Sequence, residues 1–219
     1  MRMLTQYLPQ RFFNALDFTK TDESICSLSG HEAISLHYGL TYEMNLDEIS
    51  NMKLIVYWGF NAAVNAPHLH ALSLKAKRRG NHIIVVDSRK SETAELADLW
   101  IQLKPGSDVT LTYGVMKHLI EYELVDETFL SKYTYGYDEL KKEVSEWTIS
   151  EIECYTEISW SKIEEFAEEY YRFKPSVTMI GIGMQKNLYG WESVRAVSLI
   201  PALIGFTEDS TILTVRHGT

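Results

Sequence analysis

The chain has 219 residues and a mass of 25.2 kDa, with 45% hydrophobic and 23% charged residues, a formal net charge of −9 and a pI near 5.3. That apolar share supports a sizeable core and excludes a disordered chain, and the length suits one large α/β domain or two small ones. The acidic balance excludes a nucleic-acid footprint, which needs concentrated basic surface, and the short basic cluster at residues 75–79 reads simply as a helix C-terminus.

In chain order, residues 3–18 are helix-compatible, with Pro9 starting, kinking or dividing the element, and form a lead-in. A polar stretch carries Cys26, and a short helix over residues 31–38 ends at Gly39. Asp47 and Glu48 open a single turn. Residues 53–93 form the organising unit: Leu54-Ile55-Val56-Tyr57-Trp58 and Ile83-Ile84-Val85-Val86 are continuous apolar runs, and Leu69, Leu72 and Ala76 recur between them at helical spacing. Pro67 in the first turn, Lys75, Lys77, Arg78 and Arg79 near the end and Gly80 just past it mark that helix, so the unit is β-α-β. Strands apolar on both faces belong to a parallel sheet covered by helices.

Residues 91–98 read as a short helix and residues 99–103 as a third strand closed by Pro105-Gly106. Ser107 is the expected N-cap of a helix to Tyr122 with Leu111, Val115 and Leu119 inward. Helices follow over residues 126–132, 138–147 and 150–157. Another, capped by Ser159 or Ser161, runs to Tyr171 with Glu164, Glu165, Glu168 and Glu169 on a solvated face. Residues 176–180 form the next strand and run into the glycine-rich turn Gly181-Ile182-Gly183. The helix over 191–204 should be kinked or shortened by Pro201, and Trp58, Trp100 and Trp191 are expected in the core. The expected fold is α/β, a doubly wound, mainly parallel, Rossmann-like sheet with helices on both faces. One domain spans 1–219: a lead-in over 1–20, a core over 21–205 and an irregular tail over 206–219.

Three strands end in loops rich in Gly, Asn, Asp or Ser, and a parallel sheet places those ends on one edge. Backbone N–H groups at glycine turns suit phosphate oxygens, and an acid at a strand end suits ribose hydroxyls or a guanine N–H edge, so a nucleotide-containing ligand is expected. Gly181-Ile182-Gly183 lacks the third glycine of a dinucleotide fingerprint, and such turns also serve only to bend the chain. Cys26 and Cys154 make neither a disulfide framework nor a four-cysteine zinc site. Cys26 reads as an inert small residue or as a nucleophile or ligand. His31 and His37 are near it without a recognised zinc spacing, and His68 and His70 diverge on their helix. HExxH, G-x-S-x-G and Walker motifs are absent. No apolar run approaches the ~20 residues of a bilayer span, and a signal-peptide core is missing, so the expected location is the cytoplasm.

Several stretches, in order, resemble the molybdopterin-dependent oxidoreductases of the dimethyl sulfoxide reductase and formate dehydrogenase family. They are Ile25-Cys26 with Gly30; Val56-Tyr57-Trp58-Gly59-Phe60-Asn61; Val85-Val86-Asp87-Ser88-Arg89 with Glu92-Thr93-Ala94; Ala97-Asp98; Lys104-Pro105-Gly106-Ser107-Asp108; and Gly181-Ile182-Gly183-Met184-Gln185. The resemblance covers about residues 22–205 and corresponds to the family's middle α/β domain. It implies a molybdenum or tungsten ion held by two molybdopterin guanine dinucleotides, with Cys26 as catalytic residue and soft metal ligand. It also implies that Trp58, Gly59, Asn61, Asp87, Ser88, Arg89, Thr93, Gly106 and Asp108 hold one guanine dinucleotide, with Asp87 and Asp108 reading ribose and guanine. Gly183 and Gln185 would line the pterin side.

The departures carry expectations of their own. Ser88 replaces the family's usual Pro, Lys186 its usual Arg, and residues 206–210 its further glycines, while Arg216 matches a family arginine near the metal. Family members are several times longer, with a cysteine cluster for an iron–sulfur centre and a closing β-barrel domain. The chain is therefore expected to be a fragment or truncated member, formate dehydrogenase-like and inactive alone. The alternatives are a non-catalytic domain that pairs with a complementing subunit or a homo-oligomer, and a stand-alone nucleotide-binding enzyme with Cys26 as nucleophile.

Overall fold

In a computed structural model, residues 2–19, 28–39, 45–205 and 210–214 are described. Cys26 and Arg216 lie outside them. The elements in order are α1 (Arg2–Ala15), α2 (Leu28–Tyr38), a 3-10 turn (Leu46–Asn51), β1 (Leu54–Trp58), α3 (Ala62–Asn65), α4 (Pro67–Lys77), β2 (His82–Asp87), a 3-10 turn (Ala94–Leu96), β3 (Leu99–Gln102) and α5 (Asp108–Glu121). Then come α6 (Glu127–Tyr133), α7 (Tyr137–Glu146), α8 (Ile149–Thr156), α9 (Trp160–Arg172), β4 (Ser176–Ile180), a 3-10 turn (Ile182–Lys186), α10 (Gly190–Leu203) and β5 (Ser210–Thr214).

The five strands form one parallel sheet in the order β3-β2-β1-β4-β5. The chain steps outward from β1 to β3, then returns to lay β4 on β1's other side, so the order reverses between β1 and β4. Residues of β1 are buried throughout, and alternation sends them to opposite faces. Leu54, Val56 and Trp58 join Ile84, Val86 and Ile180 under α2, α5, α9 and α10. Ile55 and Tyr57 join Ile83, Val85, Val177 and Met179 under the thinner layer of α3, α4 and the turn carrying Ile49. The doubly wound α/β architecture read from the sequence is the one observed.

Several local expectations give way to tertiary context. The segment read as an irregular tail supplies β5, paired from Ser176↔Ser210 to Ile180↔Thr214. Its short β-branched run has too few residues to show a period, and the free edge of β4 provides the hydrogen bonds it needs. Residues 91–98 make only a 3-10 turn, because Asp98 turns back to accept from the Ile83 amide at 2.9 Å. Trp58 is fully buried, but Trp100 is half-buried and Trp191 is 38% exposed. α10 runs through Pro201 to Leu203. Ser107 does not cap α5 with its side chain; its hydroxyl donates to the Lys104 carbonyl at 2.7 Å. Ser159 stands at the N-cap of α9 as expected, likewise without a side-chain cap bond. On α9, Glu164 accepts from the Trp160 indole at 2.9 Å, Glu169 meets His82 at 2.9 Å and Glu168 lies 3.6 Å from His118, so three of the four glutamates have a partner rather than being freely solvated.

Candidate functional site

The β1–β4 seam forms the centre of the carboxyl edge. The Gly59 amide donates to the Val86 carbonyl and the Gly181 amide to the Trp58 carbonyl, each at 2.8 Å. A Cβ on Gly181 would lie 1.8 Å from the Gly59 carbonyl oxygen, and Gly59 has φ +61°, so glycine at both positions lets the two strand ends touch. Beside them, Gln185 is buried and its Oε1 accepts from the Gly30 amide at 3.0 Å. The start of α2, two residues beyond Cys26, is thereby tied to the seam.

On the neighbouring side the ends of β1 and β2 are laced together. Thr93, fully buried, donates through its hydroxyl to Asn61 Oδ1 at 2.8 Å and accepts from the Ala63 amide at 3.0 Å. Asn61 Nδ2 donates to Glu92 Oε2 at 2.8 Å, and Arg89 lies 3.7 Å from the same carboxylate. A backbone hydrogen bond and the Asn61 contact hold the Glu92 carboxyl below its usual range. Asp87 Oδ1 accepts from the Arg89 amide at 3.1 Å, an Asx-type turn that fixes the loop. Ser88 and Arg89 project into solvent.

Asp108 has a different setting. It is 7% exposed at the first turn of α5, and its Oδ1 accepts from the Trp58 indole at 2.8 Å. Burial pushes the Asp108 carboxyl up, against the lowering effect of the indole bond. As placed, this acid serves the protein's own tryptophan. Gly106, with φ +86°, and Gly183 both have open space where a Cβ would stand.

Between the β2 and β3 ends and the α8–α9 connection lies a cavity of about 570 Å³. Ser88, Gln102, Lys104, Glu157 and Lys162 supply its polar groups, and Lys104 meets Glu157 at 2.8 Å. Among the described residues no group of three or more His, Cys, Asp or Glu side chains has the arrangement to hold a metal ion. The structure thus gathers Trp58, Gly59, Asn61, Asp87, Ser88, Arg89, Thr93, Gly106, Asp108, Gly183 and Gln185 on one edge. Sequence reasoning missed Glu92's tie to Asn61, although Glu92 lies within a recognised stretch. It also missed Glu157 and Lys162, which tertiary packing brings in and no motif marks.

Taken together these features define an α/β protein with one parallel sheet whose strand order reverses between β1 and β4, the position at which open α/β sheets in general take their ligands. The chain belongs to the molybdopterin oxidoreductase family, whose sequence pattern matches residues 1–213. It is 33% identical over 93% of its length to Probable oxidoreductase YoaE and 36% identical over 92% to Probable oxidoreductase YyaE, both of Bacillus subtilis. It is also 32% identical over 92% of its length to Formate dehydrogenase H of Escherichia coli. The chain spans 30%, 30% and 29% of those relatives. The fold is that of Acetylene Hydratase from Pelobacter acetylenicus, with a TM-score of 0.76 at 19% identity over 85% of this chain and 26% of that one. Among the described residues no helix is long and apolar enough to cross a membrane.

Proposed function

We propose that this chain is the α/β portion of a molybdenum or tungsten oxidoreductase of the formate dehydrogenase type, holding one molybdopterin guanine dinucleotide along its carboxyl edge, with Cys26 as the metal ligand. One observation carries the reading: the cavity beside Ser88 and Lys104 opens onto the same edge as the Gly59–Gly181 seam. The donor set fits a nucleotide. Lys104 and Lys162 suit phosphate or carbonyl oxygens, Glu157 and Gln102 suit a guanine N–H edge, and the second oxygen of Asp87 suits a ribose hydroxyl. Open space over Gly183 suits the pterin. Trp58 and Asp108 would set the floor rather than touch ligand. The bound cofactor would supply the two-electron chemistry, and the chain's residues would orient it. Catalysis needs a preorganised, water-excluding site, and the walls offered here are partial, so the isolated chain should be inactive.

The test is thermal unfolding with guanosine diphosphate, and adenosine diphosphate as control. Stabilisation should grow as RT ln(1 + [L]/Kd), reaching about 2.7 kcal/mol at a hundredfold excess over Kd. Lys104→Ala with Lys162→Ala should abolish it. No shift at millimolar guanosine diphosphate sinks the reading. A second reading, a non-catalytic domain completed by another polypeptide, is favoured by Leu188, 85% exposed, and Tyr189 beside the Gly181–Gln185 turn. It predicts that Leu188→Lys abolishes capture of that polypeptide while leaving guanosine diphosphate binding intact; loss of both would refute it.

A further inference from the structure

Beside the carboxyl edge and running down from it, α10 and α7 stand apart and leave a trough. Two adjoining cavities of about 380 and 320 Å³ share Leu140, Glu143, Arg195 and Leu199 as walls. From Trp191 to Leu203 the trough follows α10 for about 18 Å at 1.5 Å per residue. Its floor is largely aliphatic. Its charge is acidic: Glu139, Glu143 and Glu192 line it against the single guanidinium of Arg195. Arg195 Nε donates to His37 Nε2 at 3.1 Å, and burial together with that guanidinium depresses the His37 pKa to about 4, so the histidine adds no positive charge.

The same chain carries an exposed apolar element of matching chemistry. Leu8, Phe12 and Leu16 form an i, i+4, i+8 stripe along α1 and beyond its end; Phe12 is 59% exposed, and Phe13 packs edge-on against Phe12 and Phe18. Among the described residues α1 shares none of the principal interhelical contacts. Its sequence holds Arg2 and Arg11 and no acidic residue. An amphipathic helix laying such a stripe into an apolar groove is a recurrent mode of recognition, and the opposite charges fix the partner choice.

We propose that the trough between α7 and α10 receives α1 of a second copy of this chain, reciprocally, in a twofold dimer. The exchange covers both exposed surfaces at once, and twofold symmetry makes the contact twice. It is independent of the nucleotide reading, because none of these residues lies in the Ser88–Lys104 cavity or at the Gly59–Gly181 seam.

Sedimentation of the 219-residue chain at micromolar concentrations tests the assembly. Twice the 25.2 kDa chain mass is expected, weakening with added salt. A monomer throughout overturns it. Phe12→Asp, at an exposed position, should raise the dimer dissociation constant at least tenfold without changing the circular dichroism spectrum; an unchanged constant overturns the role of α1. The trough is tested separately with Phe12→Cys and Leu140→Cys together in a Cys26→Ser, Cys154→Ser background. Mild oxidation should join the two introduced thiols in a disulfide between chains, one from α1 and the other from the partner's α7. A link within one chain, or none, overturns the exchange.

Discussion

Trp58 and Tyr57 are adjacent in β1, fully buried and directed to opposite faces of the sheet, yet their polar tips are satisfied in different ways. On the thin face the Tyr57 hydroxyl meets Ser73 Oγ at 2.5 Å, and Ser73 donates onward to the Leu69 carbonyl at 3.0 Å. Every group in that relay is neutral, burial having pushed the tyrosine pKa up to about 12. On the thick face the Trp58 indole instead donates to a carboxylate, Asp108, supplied from the loop that lines the candidate site. The thin face is locally stitched and indifferent to pH, whereas the thick face ties an ionisable group of the site edge into the core. On the thick face the charged group lies at the candidate site itself.

The largest break in that asymmetry should come from Phe166→Ala. Phe166 is fully buried on the thick face with its ring 5.8 Å from that of Trp58, and its loss should cost about 3–5 kcal/mol in urea unfolding. Asp108→Ala should cost less, about 1–3 kcal/mol, by leaving the indole N–H buried and unpaired. Asp108→Asn keeps an acceptor and isolates the charge. Because burial raises the folded-state pKa, the unfolded chain ionises first as pH rises through about 4, and wild type then loses stability until the folded pKa is passed. Asp108→Asn should thus be more favourable relative to wild type at pH 7 than at pH 4, and a pH-independent difference between the two melting curves would refute the assignment. On the thin face, Tyr57→Phe should cost about 1 kcal/mol at both pH values. Smallest of all, Gly183→Ala should leave stability within about 0.5 kcal/mol, since open space receives the methyl group.

How far the sequence could carry these readings differs from residue to residue. β1 and β2 are legible because strands buried on both faces must be continuously apolar, and the parallel sheet with its polar strand ends follows from that. Asn61, Asp87 and Thr93 are legible as members of ordered motifs. Their bonding is not, since the side chains that Asn61 holds are Glu92 and Thr93, roughly thirty positions along the chain. In the sequence Asp108 reads as an acid facing a ligand; that it bonds Trp58, fifty positions away, depends on how α5 lies over the sheet. Trp191 fails the usual inward expectation because its helix borders an open trough. Periodicity reports which face of an element is apolar, not which neighbour arrives to cover it.

The hydrogen bond between the Gly30 amide and Gln185 has a temporal meaning. It closes a loop of 155 residues, and it cannot form until β4 has emerged and paired with β1. During synthesis from the N-terminus, the start of α2 must wait while β1, β2 and β3 assemble a half-sheet with one raw edge along β1. The arrival of Gln185, and then of Arg195 and Ser198 on α10, anchors the helix that follows Cys26. Any ligand requiring both sides of the seam can therefore be loaded only after most of the chain has been made.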